Sequence, residues 1–235
     1  MYSYLNYLRV INQSNKMKKL ILVMAAGIFF AACGESKKTA EETKEVASAT
    51  AEAVTYTADP TLSSVKWFGE KKISGNHNGT VTLQSGSLSF EGENLTAGSF
   101  IIDMTTINDL DLEDGKDKSN LTTHLKSGDF FLVDSFPTAT FEITTVEKLE
   151  GSADGTHKIT GNLTIKGETH GISFPATIAT TADGVTANAK FAINRNEWGI
   201  VWGGTKETNK KTLDYLKDNL LKDEIAFEVA LVAKK

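Results

Sequence analysis

The densest set of candidate ligands in the chain is an acidic run, Asp109-Leu110-Asp111-Leu112-Glu113-Asp114-Gly115. Carboxylates this close suit a hard cation such as calcium, which takes oxygen ligands. An EF-hand loop needs glycine at its sixth position and glutamate at its twelfth. Counted from Asp109, those positions hold Asp114 and Asn120, so the motif fails and the run reads as a solvated acidic loop. His77, His124, His157 and His170 stand apart, without the paired spacing of a zinc site. His77 falls in a Gly-Asn-His-Asn-Gly stretch, which reads as a turn. No metal site is expected.

Nucleophilic chemistry fares no better. The chain has no Gly-x-Ser-x-Gly elbow, no phosphate-cradling Walker loop and no dinucleotide fingerprint. Its single cysteine, Cys33, follows Ala31-Ala32 and a short apolar run, Leu20 to Phe30, itself preceded by Met17-Lys18-Lys19. That arrangement reads as a secretory signal. The cysteine at its end resembles the lipidated first residue of a mature bacterial lipoprotein; an ordinary signal followed by a stray cysteine is the alternative. Thiol catalysis is thereby excluded. With a net charge of −5 and no basic stripe, nucleic-acid binding lacks its electrostatic footprint. The chain is expected not to be an enzyme and to need no cofactor.

The elements that could position a site are strands. From Tyr56 onward nine short segments alternate apolar with mostly polar residues, for example Val65 and Trp67, Phe100 and Ile102, Leu163 and Ile165, and Phe227 and Val229. Ser85-Gly86, Asp154-Gly155 and Asp183-Gly184 read as hairpin turns between them. The pattern predicts an all-β fold, an extended antiparallel β-barrel of about eight strands with short helices in the long loops. About eight strands enclose an interior that side chains fill or that holds one small ligand. Gly69, Gly161, Ala176 and Ala189 at inward positions leave room, or merely fit a filled core's taper; periodicity alone leaves both open.

Two interruptions stand out. Thr105 to Phe136 is loop-like, with a helical turn at Thr123 to Lys126 stopped by Gly128 and a hydrophobic plug of Phe130, Phe131 and Phe136. Pro137 ends it. Glu207 to Lys222 carries Leu213, Leu216 and Leu220 at helical spacing and reads as an amphipathic helix across one end of the barrel, with a membrane-surface helix as the alternative. The expected division is therefore 1–16 as an upstream extension, 17–32 as signal, 33–54 as lipidated cysteine and flexible tether, and 55–235 as one barrel domain. The tether reading rests on its scarcity of large apolar residues.

The stretch His124-Leu125-Lys126-Ser127-x-Asp129-Phe130-Phe131, followed by Pro137 and Phe141, resembles the signature of the YceI-like family of lipid-binding β-barrels. Asp59-Pro60, the Gly161-Asn-Leu-Thr-Ile-Lys-Gly167 segment, Asn194-Arg195-Asn-Glu-Trp198-Gly199 and the Asp223-Glu224 ending are similar to further family segments. The resemblance covers about 56–233. It implies a lipocalin-like barrel with a long isoprenoid chain, quinone or polyprenyl phosphate, in its lumen, and a capacity for homodimers.

On that basis the expected function is binding, sequestration or transport of an isoprenoid lipid by a protein anchored in the bacterial cell envelope through Cys33. The anchor would sit on the periplasmic side or the outer-membrane surface. The alternative is a filled barrel acting as a protein-interaction module. The lumen candidates are Val65, Trp67, Leu83, Phe90, Phe100, Ile102, Phe130, Phe131, Phe136, Phe141, Ile143, Leu163, Ile165, Phe174, Phe191, Ile193 and Phe227. His124, Arg195 and Trp198 are headgroup candidates, with a helix-to-loop hydrogen bond for His124 and a structural anchor for Arg195 as the alternatives.

Overall fold

The computed structural model describes residues 40–73, 75–203 and 220–235. The signal, Cys33 and most of the expected helix at 207–222 lie outside them; Leu221 and Lys222 already belong to the last strand. The strands are β1 (Val54–Ala58), β2 (Ser64–Lys71), β3 (Asn76–Glu91), β4 (Asn94–Asp109), β5 (Thr138–Lys148), β6 (His157–Ile165), β7 (Glu168–Thr181), β8 (Gly184–Asn194) and β9 (Leu221–Lys234). One α-helix, α1 (Lys116–Lys126), and one 3-10 turn (Arg195–Trp198) complete the described elements.

All strand pairings are antiparallel, and the sheet closes on itself because β3 pairs both β2 and β4. The barrel has eight strand positions. β1 and β2 share one of them end to end: each pairs with both β3 and β9, and Asp59–Ser63 makes the joint between them. Closure leaves the sheet no first or last strand, although β7 pairs with β8 only over Ala176–Thr181.

The nine alternating segments correspond to fewer, longer strands at one place. The segments at Val81–Leu83 and Leu88–Phe90 belong to a single strand, β3, so Ser85-Gly86 is not a hairpin turn. The register slips there instead, between Leu83 and Ser85. Gly86 is required for another reason. A Cβ at Gly86 would lie 2.3 Å from the Phe100 ring, so the glycine lets that ring lie across the neighbouring strand. Asp183 does lie in a hairpin, between β7 and β8, and Gly184 after it takes φ +149.

The same device recurs. A Cβ at Gly79 would lie 2.6 Å from the Trp67 ring, and one at Gly161 would lie 2.4 Å from the Phe141 ring. Large rings therefore lie against the wall, over glycines of adjacent strands, which is the cross-strand packing that supports glycine in a curved sheet. Across Gly161, Phe141 reaches Phe174 at 5.5 Å between centroids; Phe174 stacks on Phe191 at 4.4 Å, and Phe191 on Phe227 at 5.4 Å. Such offset pairs add about 0.5–1.5 kcal/mol beyond burial. Gly161 is thus occupied by a neighbouring ring, whereas Gly69 faces open space.

β4 runs to Asp109, further than the loop reading allowed, and α1 begins well before Thr123. The helix ends at Ser127, whose N–H and hydroxyl both donate to the His124 carbonyl. Leu125 is its buried residue, turned to the barrel.

Residues 40–53 lie along the outside of the barrel. Glu41 forms a β-bridge with Gly171, Ala40 N–H donates to Glu197 at 2.6 Å, and Ala47 N–H donates to the Ile143 carbonyl. This part of the expected tether is held by hydrogen bonds rather than by apolar burial.

Candidate functional site

β2, β3's start, β4's end, β5's start, β6's end, β7's start, β8's end and β9's start all meet at one end of the barrel, as their registers require. α1 and the 3-10 turn also sit there, since each connects strands at that end. The interior holds a cavity of about 390 Å³. That volume is within the range of about 300–1,000 Å³ common for small-molecule sites.

The wall is apolar along most of its length. Val65, Trp67, Leu83, Phe100, Ile102, Phe141, Leu163, Ile165, Phe174, Phe191 and Phe227 line it, with Ala176 and Ala189 between the rings. Phe130 and Phe131 close in from the loop after α1. Charged and imidazole groups enter the wall at the α1 end alone: Glu70, Lys71, His77, His124, Arg195, Lys222 and Glu224. Away from that end, Ser63 and Ser64 also border the cavity. The indole nitrogen of Trp67 is buried and has no hydrogen-bond partner among the described residues.

A family description of the YceI-like domain matches residues 56–233. The chain belongs to the YceI-like family. A UPF0312 protein of Pseudomonas aeruginosa (strain LESB58) is 38% identical over 99 residues, 42% of this chain and 47% of that relative. A UPF0312 protein of Pseudomonas paraeruginosa is 40% identical over 92 residues, 39% of this chain and 43% of that relative. The matched stretch thus spans about half the length of these relatives. The fold is similar to that of Burkholderia cenocepacia BcnA, with a TM-score of 0.56 at 20% identity over 75% of this chain and 99% of that one. It is also similar to a polyisoprenoid binding domain from Saccharophagus degradans, with a TM-score of 0.54 at 17% identity over 76% of this chain and 97% of that one.

Four lumen candidates lie off the cavity wall of the YceI-like barrel. Phe90 is buried one step beyond Leu88 and packs edge-on against Tyr56 at 5.6 Å. Ile143 fills the space over Gly98, where a Cβ would meet its Cδ1 at 2.9 Å. Ile193 is buried in the core beside the wall. Phe136 packs on the turn at Gly167, outside the lumen.

The headgroup candidates divide. His124 lines the cavity, its Nε2 3.0 Å from an Asp129 carboxylate oxygen, its ring edge-on to Phe130 and Trp202. Arg195 borders the cavity, but its guanidinium donates to the carbonyls of Ile200, Trp202 and Lys222 at 2.6, 2.8 and 2.9 Å. It ties the 195–202 turn to β9, the structural role. Trp198 does not reach the cavity. It is fully buried, donates its indole N–H to the Leu163 carbonyl at 3.1 Å, and packs edge-on against His170.

The wall also includes residues that periodicity had not marked. Trp202 follows a 3-10 turn, and Ile107 and Leu125 lie within the segment read as loop, so none carried an alternation signal. His77 is likewise in β3 rather than in a turn. Pairing of Gly79 with Asp109 brings it to the acidic run: His77 Nδ1 lies 2.9 Å from Asp111 Oδ2 and 3.7 Å from Asp109 Oδ2. Burial pushes the Asp109 carboxyl up. Burial acts on Asp111 too, but hydrogen bonds from the Asn78 N–H and from His77 outweigh it and hold that carboxyl down.

Proposed function

We propose that the barrel binds one long-chain isoprenoid lipid, of quinone or polyprenyl type, and shields its tail from water. The observation that carries this is the cavity itself: an apolar wall along the barrel, with ionisable groups confined to the α1 end. That division matches a molecule with a long hydrocarbon tail and one polar head. Burial of the tail contributes roughly 25 cal/mol per Å² removed from water. Ordering and association costs offset part of it. The likeness to a polyisoprenoid binding domain supports the same ligand class.

In this reading the work is burial and release, without bond making. The head lies among His124, His77, Lys71 and Lys222, and the tail runs along the Phe141–Phe174–Phe191–Phe227 row. Cys33 holds the protein at an envelope membrane, where each buried methylene of a lipid chain adds about 0.8 kcal/mol.

The test is extraction of the full chain after purification in a detergent that does not extract lipid from a control barrel, followed by mass spectrometry of the organic phase. A stoichiometric isoprenoid supports the reading, and its head identifies the pathway. An empty extract, with no uptake of added quinone or polyprenyl lipid, overturns it in favour of an interaction module.

A further inference from the structure

We propose that His77, Asp109 and Asp111 form a binding site for one borderline divalent cation, of the Zn²⁺ or Mn²⁺ class, at the rim of the barrel cavity. The three donor atoms, one imidazole nitrogen and one oxygen from each carboxylate, all lie within 4.8 Å of one another. An ion with bonds of about 2.0–2.2 Å sets tetrahedral donors about 3.4 Å apart. The separations of His77 Nδ1 from the two carboxylate oxygens, 2.9 and 3.7 Å, bracket that value.

Proximity of acids alone would not make a site. The deciding observation is Asp109. It is wholly buried, and its Oδ2 has no hydrogen-bond partner among the described residues. Its other oxygen is occupied, accepting the Leu112 N–H at 2.8 Å and so fixing the carboxylate's orientation. Oδ2 is therefore held toward His77 and Asp111 by a bond that does not involve them. A buried carboxylate oxygen without a donor is costly, and either a proton or a cation must meet it.

Asp111 is fixed in turn. Its Oδ1 accepts the Asn78 N–H at 2.7 Å, leaving Oδ2 for His77. Each carboxylate thus uses one oxygen on backbone and turns the other inward, the outer-shell orientation that metal ligands require. His77 and Asp109 come from the β3–β4 ladder and Asp111 lies two residues past its end, where the Asn78 carbonyl accepts the Leu110 N–H at 2.9 Å. The platform is the end of a paired sheet together with the bend that follows it.

The donor set selects the ion. Imidazole disfavours calcium and magnesium, and two carboxylates with no thiolate disfavour copper(I). One nitrogen and two oxygens suit Zn²⁺ or Mn²⁺. Three protein ligands leave at least one position for water or for an oxygen of another molecule. Because His77 also lines the cavity, that position belongs to the cavity's rim. The inference does not depend on lipid binding and stands or falls separately from it.

The test is titration of the chelator-treated full chain with Zn²⁺ and then Mn²⁺, read by calorimetry and by thermal unfolding. One equivalent should bind and raise the melting temperature. Asp109→Asn keeps the bond to Leu112 N–H, so it should fold while binding the ion at least about 10–100-fold more weakly, the loss typical even of outer-shell partners. Asp111→Asn, at a more exposed position, provides a second variant should Asp109→Asn fail to fold. Anomalous diffraction at the zinc edge should give a peak between His77 Nδ1 and the two carboxylates. No saturable uptake overturns the proposal, as does uptake unchanged in the soluble variant or a peak at His124 and Asp129 instead.

Discussion

Asn162 grips Lys44 by both ends of its amide: Oδ1 accepts the Lys44 N–H at 3.1 Å, and Nδ2 donates to the Lys44 carbonyl at 2.7 Å. Asn162 is buried in β6, so the pair is a fixed clamp on the wall of the barrel. It holds the segment before β1 in place despite that segment's polar composition. Asn162→Ala should leave the barrel folded while releasing residues 40–50. Two lost hydrogen bonds predict a cost of about 1–3 kcal/mol. Amide exchange and protease cutting should rise in that segment and stay unchanged in β8 and β9.

Gly161 makes room for the ring row. A side chain there meets the Phe141 ring at 2.4 Å and the Glu142 carbonyl oxygen at 2.6 Å, and the latter cannot swing aside. Gly161→Val should destabilise the fold by about 1–3 kcal/mol or more, the usual cost of overpacking. Chemical unfolding measures it, and near-ultraviolet circular dichroism should report the displaced aromatic row.

Gly69 is the contrasting case, because it lines the cavity and its Cβ direction is open. Gly69→Leu should fold normally and occupy space inside the lumen. If the cavity is where a lipid binds, lipid retained per chain should fall about tenfold, equivalent to about 1.4 kcal/mol. Mass spectrometry of extracts from the two proteins, matched by unfolding temperature, measures it.

Acid should loosen the β1–β2 joint. The Thr61 hydroxyl, Lys234 and the backbone N–H groups of Thr61 and Leu62 hold the Asp59 carboxyl down at about 2, against an ordinary 3.8. A carboxyl lowered on folding stabilises the native state fully above pH 3.8 and loses that contribution as the pH falls toward 2. Asp59→Asn should therefore be less stable than the parent near neutral pH, and the gap should close over that acid window. Thermal unfolding across it gives the answer.

Alternation along the strands carried the barrel. Inward positions such as Trp67, Phe174 and Phe227 could be named from their spacing because a strand exposes one face per two residues. Glycine could not be read so easily. Ser85-Gly86 has the composition of a turn, yet Gly86 serves Phe100 on the next strand, and only the register shows it. Arg195 and Trp198 looked suited to a polar head, but their partners are backbone carbonyls of Leu163, Ile200, Trp202 and Lys222, which side-chain type does not mark in a sequence. His77 and Asp109 lie on different strands, so spacing rules for metal ligands pass over them.

The shared strand position has a consequence for how this molecule comes into being. Ala58 pairs with Ala233, and Ser64 with Ala230, so the first and last strands form the seam of the barrel. Until β9 is available, the other strands make an open, curled sheet with two unpaired borders and no enclosed interior. Folds dominated by pairings this far apart in sequence fold slowly, on the order of milliseconds to seconds. The compartment therefore exists only once β9 has paired with both β2 and β8. β9 acts as a clasp: its pairings with β2 on one side and β8 on the other close the vessel.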